Sequence, residues 1–407
     1  MQTTEPYSTL KIQGRAFAQI AAFHPEITAF RRDLHAHPEL GFEEVYTASR
    51  VQEALKQCGV DEVHAGIGKT GVVALIKGQR HSSGKMMALR ADMDALAMTE
   101  HNDFSWKSGK AGLMHGCGHD GHTAMLLGAA QQLAKTRNFQ GTVHLVFQPA
   151  EEAGQNSGAQ QMFADGLFER FPCDAIFGMH NHPGVAVGTF MFGAGPFMSA
   201  SDRAHIKVIG KGGHAARPHQ TADPVVMTGS LIMALQTVVS RNIDPTQTAV
   251  VTIGAVHAGN ASNVIPEFAI LDLSIRSFSP EVRDRLEQRI KQLVHSQVES
   301  FGGQAEITYE RGYPVVVNSA AETEFARQVA QELVGADKVV FPFGPVTGSE
   351  DFAFYLQHKP GSFLRLGNGQ DSAMLHNAKY DFNDANLSYG AAYWTRLVER
   401  FLTQETP

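Results

Sequence analysis

The chain has little of several features that mark whole classes of protein. Its 407 residues include three cysteines, Cys58, Cys117 and Cys173, which are too few and too far apart for a disulfide framework, so we expect reduced thiols. No apolar run reaches the roughly eighteen residues of a membrane-spanning helix, and residues 1–11 lack the pattern of a secretory signal. The formal net charge is -7 and no basic stripe is interleaved with aromatics. We therefore predict a cytoplasmic protein without a membrane or nucleic-acid partner.

The composition and patterning of the chain are those of a globular protein with two kinds of architecture. Hydrophobic residues make up 43% and charged residues 18%, and the length favours two domains. Helical patterns alternate with short apolar strands up to residue 195 and again after 313, which predicts an α/β domain with a layered mixed sheet flanked by helices. Between them the order strand, helix, strand, strand, helix, strand is that of a ferredoxin-like α+β sandwich. We predict a discontinuous domain, 1–195 and 313–407, with an inserted satellite domain, 196–312.

Side chains that bind divalent transition metals are concentrated in four short islands. They are HGCGHD (115–120), QPAEE (148–152), MHNH (179–182) and LHN (375–377). Thiolate, imidazole and carboxylate are the usual ligands of such ions, and a spare carboxylate beside a ligand supplies a base for water. Three segments follow predicted strands of the sheet: Asp92 and Asp94 after 86–90, Glu151 and Glu152 after 141–147, and His180 after 174–179. Ligands of α/β sheets bind at such strand ends, so the islands predict a two-metal hydrolytic site.

Residue chemistry alone leaves the roles within these islands open. Cys117 and His119 converge only if the loop bends tightly, which the surrounding glycines permit. Of the adjacent Glu151 and Glu152, one can hold metal while the other takes a proton from water. Either histidine of the third island could be the ligand. Alone, each island is as easily a buried loop or a solvated turn, and it is their combination that favours a metal site.

A wider set of motifs resembles one family along residues 25–400. The motifs are RRDLH (31–35), HPEL (37–40), LRADMDAL (89–96), MHGCGHD (114–120), QPAEE (148–152), GHAA (213–216), NVIP (263–266), GSEDF (348–352) and HN (376–377). Together they resemble the M20 family of metallopeptidases and amidohydrolases, in the branch of hippurate hydrolases, N-acyl-amino-acid amidohydrolases and auxin-conjugate hydrolases.

The resemblance implies a role for each candidate residue. The metal ligands would be Cys117, His119, Glu152, His180 and His376. Glu151 would be the general base. His214, in the inserted domain, would support the oxyanion, often in the site of a partner subunit, and the insert would act in dimerisation or as a lid. Asn263 and Arg276 would hold the carboxylate of the substrate, for which Arg is well suited.

Four further residues near the ligands stand outside the predicted ligand set. His115 and His182 are interpreted as structural or orienting neighbours of the ligands. Where many members of the family have a metal-binding histidine, this chain has Asp92-Met93-Asp94, and Cys117 takes its place. Asp94 is then expected to orient a ligand instead of binding metal.

The sequence therefore predicts a metal-dependent amidohydrolase that cleaves N-acyl or N-aroyl amino acids, hippurate-like, into a carboxylic acid and an amino acid. It would use two divalent ions per subunit, zinc, manganese, cobalt or nickel, and form a homodimer or a higher homo-oligomer. A dipeptidase or aminoacylase of the same family is the nearest alternative, and a non-catalytic metal-binding protein is another. A nicotinamide oxidoreductase is weakened because the G-x-G-x-x-G match at 66–71 precedes a strand instead of following one.

Overall fold

The computed structural model describes residues 15–79 and 84–403. Its helices are α1 (Arg15–Ala21), α2 (His24–Ala36), α3 (Val45–Cys58), α4 (His119–Thr136), α5 (Gly158–Ala164), α6 (Leu167–Arg170), α7 (Pro224–Asn242), α8 (Pro280–Glu299), α9 (Ala320–Val334), α10 (Phe352–His358) and α11 (Ala385–Phe401). Its strands are β1 (Glu62–Ile67), β2 (Gly71–Lys77), β3 (Met86–Asp92), β4 (Thr142–Gln148), β5 (Ala175–Pro183), β6 (Phe190–Met191), β7 (Gly195–Met198), β8 (Ala200–Ile209), β9 (Gly213–His214), β10 (Ala249–Ala258), β11 (Val264–Ile265), β12 (Phe268–Ser277), β13 (Gln304–Arg311), β14 (Val316–Asn318), β15 (Val339–Val340) and β16 (Gly361–Gly369). Within the described ranges, none of the helices combines the length and apolarity that crossing a membrane requires.

The chain divides into two compact units. The first comprises Met1–Gly195, Val317–Gly344 and Phe354–Pro407, and the second comprises Pro196–Val316 and Pro345–Ala353. The second unit is longer than the predicted insert of 196–312, because backbone hydrogen bonds hold more chain to it. The amide of Ser201 donates to the carbonyl of Tyr313 at 3.0 Å, and the amide of Ser199 donates to that of Val346 at 3.2 Å.

The first unit is built on an eight-stranded mixed sheet in the order β1-β2-β4-β3-β5-β16-β6-β15. Strands β3, β4, β5 and β16 run parallel, and β2 pairs antiparallel with β4. The central strands are buried along nearly their whole length, as expected of strands covered on both faces. Helix α4 is also largely buried and packs against α2, α3, α11 and β3. The prediction of an α/β fold with a mixed sheet and flanking helices is confirmed.

The carboxyl ends of the parallel strands bring several polar residues to one edge of this sheet. Asp92 ends β3 directly opposite Gln148, which ends β4. The next strand differs from the prediction: β5 continues to Pro183, so His180 lies inside the strand and not after it. The reason is the pairing with β16, which places Arg365 opposite His180 and prolongs the ladder.

The second unit contains a four-stranded antiparallel sheet in the order β10-β12-β8-β13. Side chains along β8 and β12 alternate between buried and more exposed positions, as in a sheet with one covered face. Helices α7 and α8 bury one residue in every three or four against that face, for example Leu286, Ile290 and Val294 of α8. The element order and the strand order are those of a ferredoxin-like sandwich.

Candidate metal centre

The loop that carries Cys117 is fixed against the end of β5. Gly118, at the start of α4, has a φ of 92°, and a Cβ there would overlap the side chains of Asn181 and Tyr380. The Asn181 side-chain amide donates to the carbonyl of Cys117 at 2.6 Å and accepts from the Tyr380 hydroxyl at 2.7 Å. The close approach that glycine permits therefore sets where the thiol of Cys117 lies.

Two histidines place a ring nitrogen beside this thiol. His180 donates from Nδ1 to the carbonyl of Asn181 at 2.6 Å, which leaves Nε2 as the lone-pair nitrogen, 3.3 Å from the Cys117 Sγ. His119 places Nδ1 3.0 Å from Oδ1 of Asp94, and its Nε2 is buried with no hydrogen-bond partner among the described residues. A buried nitrogen left without a partner beside a thiol and a second imidazole fits a metal ligand.

The last island, which carries His376, reaches the other ligand residues from a separate segment of the same unit. The amide of His376 donates to the carbonyl of Gly116 at 2.8 Å, which ties it to the Cys117 loop, and its φ of 60° turns the chain there. Its Nε2 lies 3.1 Å from Oε1 of Glu152. The ligand atoms form three overlapping groups, each within 4.8 Å: Cys117, His119 and His180; Cys117, Glu152 and His376; His119, Glu151 and Glu152.

A further cluster, Asp92, His119 and His122, has the spacing of a metal site but not its chemistry. The backbone amide of Asn181 donates to Nε2 of His122 at 3.0 Å, so that lone pair is already used. Nδ1 of His122 must then carry the proton, which it donates to Oδ1 of Asp92 at 2.6 Å. His122 is therefore a structural residue that anchors β5 to α4.

The other two histidines of the islands lie apart from the ligand groups of the described chain. His115 is fully buried, and burial lowers its pKa to about 4. His182 lies 3.3 Å from a guanidinium nitrogen of Arg365 and edge-on to Phe343, and burial lowers its pKa to about 4 as well.

The electrostatics of the centre favour a cation. Burial raises the pKa of Asp92, but His119 and Arg90 outweigh it and hold that pKa well below the usual range. Burial lowers the pKa of His119, yet Asp92 and Cys117 raise it well above that of a free histidine. Burial and then Glu152 raise the pKa of the Cys117 thiol to about 12. A thiol of that kind is ionised at neutral pH only beside a positive charge, as in a metal site.

The two acidic residues of the second island have different surroundings. Both lie in a short 3-10 turn, Glu151–Ala153, which follows β4 after Pro149 and Ala150. The carboxyl group of Glu151 is buried, whereas Glu152 is half-buried and faces His376. The backbone amide of Glu152 donates to Oδ2 of Asp94 at 2.8 Å. Since the other oxygen of Asp94 contacts His119, Asp94 orients two elements of the centre at once.

A pocket of about 520 Å³ opens beside this centre, wholly within the first unit. Its lining residues are Leu40, Gly41, Asp94, Ala95, Leu96, Ala97, Met98, Glu152, Ala153 and His376. Polar groups stand only at the metal centre, and the remaining wall is apolar and without a basic side chain. Leu96 exchanges two backbone hydrogen bonds with Met114, of 2.9 and 3.0 Å, so this wall is fixed to the ligand loop.

Comparisons with known proteins show the family of this chain. The family model of peptidase family M20/M25/M40 matches residues 88–400. The chain belongs to that family. It is 41% identical over 384 residues to the hippurate hydrolase of Campylobacter jejuni, covering 94% of this chain and 98% of that protein. It is 40% identical over 371 residues to an N-acetyl-L-cysteine deacetylase of Bacillus subtilis, covering 91% and 86%. The crystal structure of a dinuclear metal-binding M20 peptidase from Bacillus subtilis superposes with a TM-score of 0.81 at 33% identity, covering 94% and 99%.

Membership in the M20 family confirms the predicted resemblance and its branch. It also confirms the enzyme class, an amidohydrolase that acts on linear amide C–N bonds.

The remaining predicted residues of this M20 chain lie in the second unit. His214 is exposed on β9, where it pairs with Val264 of β11, and the carbonyl of the exposed Asn263 accepts from the amide of Ala215 at 3.1 Å. The two residues are thus brought together. Arg276 lies on β12, in a different sheet, where burial and then the nearby Arg203 lower its pKa.

The sequence analysis did not identify three residues that support the metal centre. His122 follows the first island, one turn after His119 in α4. Asn181 belongs to the third island, next to His180. Their partners decide their roles, and those partners come from distant segments. Tyr380 carries no signal of its own, since an isolated tyrosine has many structural uses.

Proposed function

We propose that this M20 enzyme hydrolyses N-acyl or N-aroyl amino acids into a carboxylic acid and an amino acid. The observation that carries the proposal is the buried carboxyl group of Glu151 beside converging thiol, imidazole and carboxylate side chains, next to a largely apolar pocket. The similarity to a hippurate hydrolase and to an N-acetyl-L-cysteine deacetylase supports the same class of substrate. The proposal includes a homodimer or a higher homo-oligomer, which sedimentation of the metal-loaded protein tests.

Two divalent ions per subunit would be held by Cys117, His119, Glu152, His180 and His376. The thiolate suits zinc, and the imidazole and carboxylate ligands suit manganese, cobalt or nickel as well. When bound, the ions supply Lewis-acid polarisation of the scissile carbonyl and acidify water.

The side chains of this chain would perform the remaining steps. Glu151 accepts a proton from the attacking water and returns it to the leaving amine, so a single carboxylate serves as base and then as acid. The buried position of its carboxyl group favours proton transfer over solvation. In the second unit, His214 would support the oxyanion, and Asn263 and Arg276 would hold the substrate carboxylate.

The pocket favours an acylated substrate over one with a free amine. An ammonium group would need a carboxylate that is not otherwise engaged, but Asp94 already contacts His119 and the amide of Glu152. Glu152 is paired with His376. The carboxylates and the absence of a basic lining residue also disfavour the α-carboxylate of a substrate here. An uncharged acyl group is the part of the substrate that matches this pocket.

A substrate panel with metal analysis on the same preparation tests the proposal. We expect amine release from N-benzoylglycine and from N-acetyl amino acids by protein loaded with zinc, manganese, cobalt or nickel, and little or none from the dipeptide with a free amine. Faster cleavage of the dipeptide than of its N-acyl analogue would favour the dipeptidase alternative. No release from any member of the panel by metal-loaded protein would overturn the proposal.

A larger side chain in the pocket should lower kcat/KM more for substrates with large acyl groups than for those with small ones. We expect Leu40→Phe to lower kcat/KM for N-benzoylglycine about 10- to 100-fold, and that for N-acetylglycine less than about threefold, because the added ring occupies space that only the larger group needs. Val45→Phe is the matched control, since Val45 belongs to the same segment but is exposed and outside the pocket. Equal losses for the two substrates would place the acyl group elsewhere.

A further inference from the structure

The turn that carries Glu151 and Glu152 begins with an unfavourable backbone conformation. Ala150 has a φ of 49° and a ψ of 47°, in the left-handed region that residues with a Cβ rarely adopt. Such a conformation persists only where the surroundings hold it. One stabilising contact is the hydrogen bond from the amide of Gly158 to the carbonyl of Ala150, at 3.0 Å.

The other stabilising contact is a hydrogen bond to a buried carboxyl group from a distant segment. Oε1 of Glu44 accepts from the amide of Ala150 at 2.7 Å, and its Oε2 accepts from the hydroxyl of Thr70 at 2.5 Å. Both oxygens of this fully buried side chain thus have donors. A carboxyl group that accepts from a backbone amide in a buried place makes a strong hydrogen bond.

The segment that leads to Glu44 contacts both α3 and the turn. Glu44 stands at the N-cap of α3, but the amides of Tyr46 and Thr47 in the first turn donate to the carboxylate of Glu39 instead, at 3.1 and 2.9 Å. Gly41 faces the turn, where a Cβ would come within 2.9 Å of the Cβ of Ala150. Gly41 and Glu44 therefore lie against the turn, whereas Glu39 caps α3.

We propose that Glu44 is a positioning residue for catalysis, which together with Asp94 clamps the Glu151–Glu152 turn. Glu44 holds the amide just before Glu151, and Asp94 holds the amide just after it. The base is thereby fixed between two carboxyl groups that hydrogen-bond to the backbone on either side of it. This inference rests on the proposed role of Glu151 and adds a residue that sets its place.

The burial of a second acid here is costly, which supports a role for it. Burial, and then the charge of Asp94, raise the pKa of Glu44 to about 7. A chain that only needed to fill this space could use an apolar side chain of similar size.

Three substitutions at one position test the clamp, with kcat, KM and metal content measured for each. Glu44→Leu removes both acceptors, and we expect kcat to fall about 100-fold with KM and metal content nearly unchanged, because a misplacement of about 1 Å costs that much. Glu44→Asp keeps the charge but is one methylene too short, and kcat should fall about tenfold. Glu44→Gln should restore kcat to within about fivefold of wild type, since its amide oxygen accepts from Ala150 and its NH₂ donates to the Thr70 hydroxyl.

Glu39→Leu is the matched control. Glu39 is also buried and also accepts from two backbone amides, but those amides belong to α3. We expect it to lower Tm while kcat stays within about threefold of wild type. The clamp is refuted if Glu44→Asp keeps full kcat, or if Glu44→Leu loses no more kcat than Glu39→Leu. If Glu44→Leu fails to fold, the kcat values of Glu44→Asp and Glu44→Gln still test the clamp.

Amide hydrogen exchange separates this inference from the proposed function, since it needs no substrate. The segment 148–156 should exchange faster in Glu44→Asp than in wild type or in Glu44→Gln. Unchanged exchange there would contradict the clamp even in an active enzyme. If wild type cleaves no N-acyl amino acid but the exchange differs as expected, the proposed function fails and the clamp stands as a feature of the turn.

Discussion

Glu151→Gln is expected to lower kcat for N-acyl amino acids by at least about 10³-fold while the metal content stays that of wild type. Gln has nearly the shape of Glu but cannot accept a proton from water or return one to the leaving amine. The carboxyl group of Glu151 is buried, so bulk water is a poor substitute for it. The measurement is steady-state release of glycine from N-benzoylglycine, with metal determined by mass spectrometry on the same sample.

The neighbouring substitution Glu152→Gln provides the contrast for this prediction. Glu152 faces His376 and shares a ligand group with Cys117, so its loss should lower metal content together with kcat. If Glu151→Gln lost metal and Glu152→Gln did not, the two roles would have to be exchanged. Retention of more than about a tenth of wild-type kcat by Glu151→Gln would remove it as the base.

The elements of the centre could be predicted from sequence because their chemistry is local. Cys117 with His119, and Glu151 with Glu152, are close in sequence, and the strand before the two acids is an apolar run that ends where the sheet ends. The order of strands and helices in the second unit could also be predicted from sequence. The alternation of apolar and polar residues in strands and their spacing in helices are properties of single segments.

What could not be predicted depends on contacts between segments that are distant in sequence. His180 lies inside β5 because β16 pairs with it, which no pattern near residue 180 reveals. Which ring nitrogen of His119 or His122 is free depends on Asp94 and Asn181, so the same residue type is a ligand candidate in one case and an anchor in the other. Glu44 is an acid at a helix start, and only the fold brings Ala150 to it.

The overlap of the ligand groups leads to a second prediction with a large effect. Cys117 belongs both to the group with His119 and His180 and to the group with Glu152 and His376. Cys117 would therefore help to hold both ions, and Cys117→Ala would remove a ligand from each group. We expect metal content to fall from about two ions per subunit to less than one, and kcat to fall by at least about 10³-fold.

His376→Ala should behave differently, because His376 belongs to only one of these groups and is half exposed. We expect about one ion to remain per subunit, with kcat reduced by at least about 10²-fold. Cys173→Ala is the matched control: Cys173 is a buried thiol outside every ligand group of the described residues, and its loss should leave both metal content and kcat unchanged. Equal metal loss in Cys117→Ala and His376→Ala would show that the thiolate serves a single ion, and full metal content in Cys117→Ala would exclude it as a ligand.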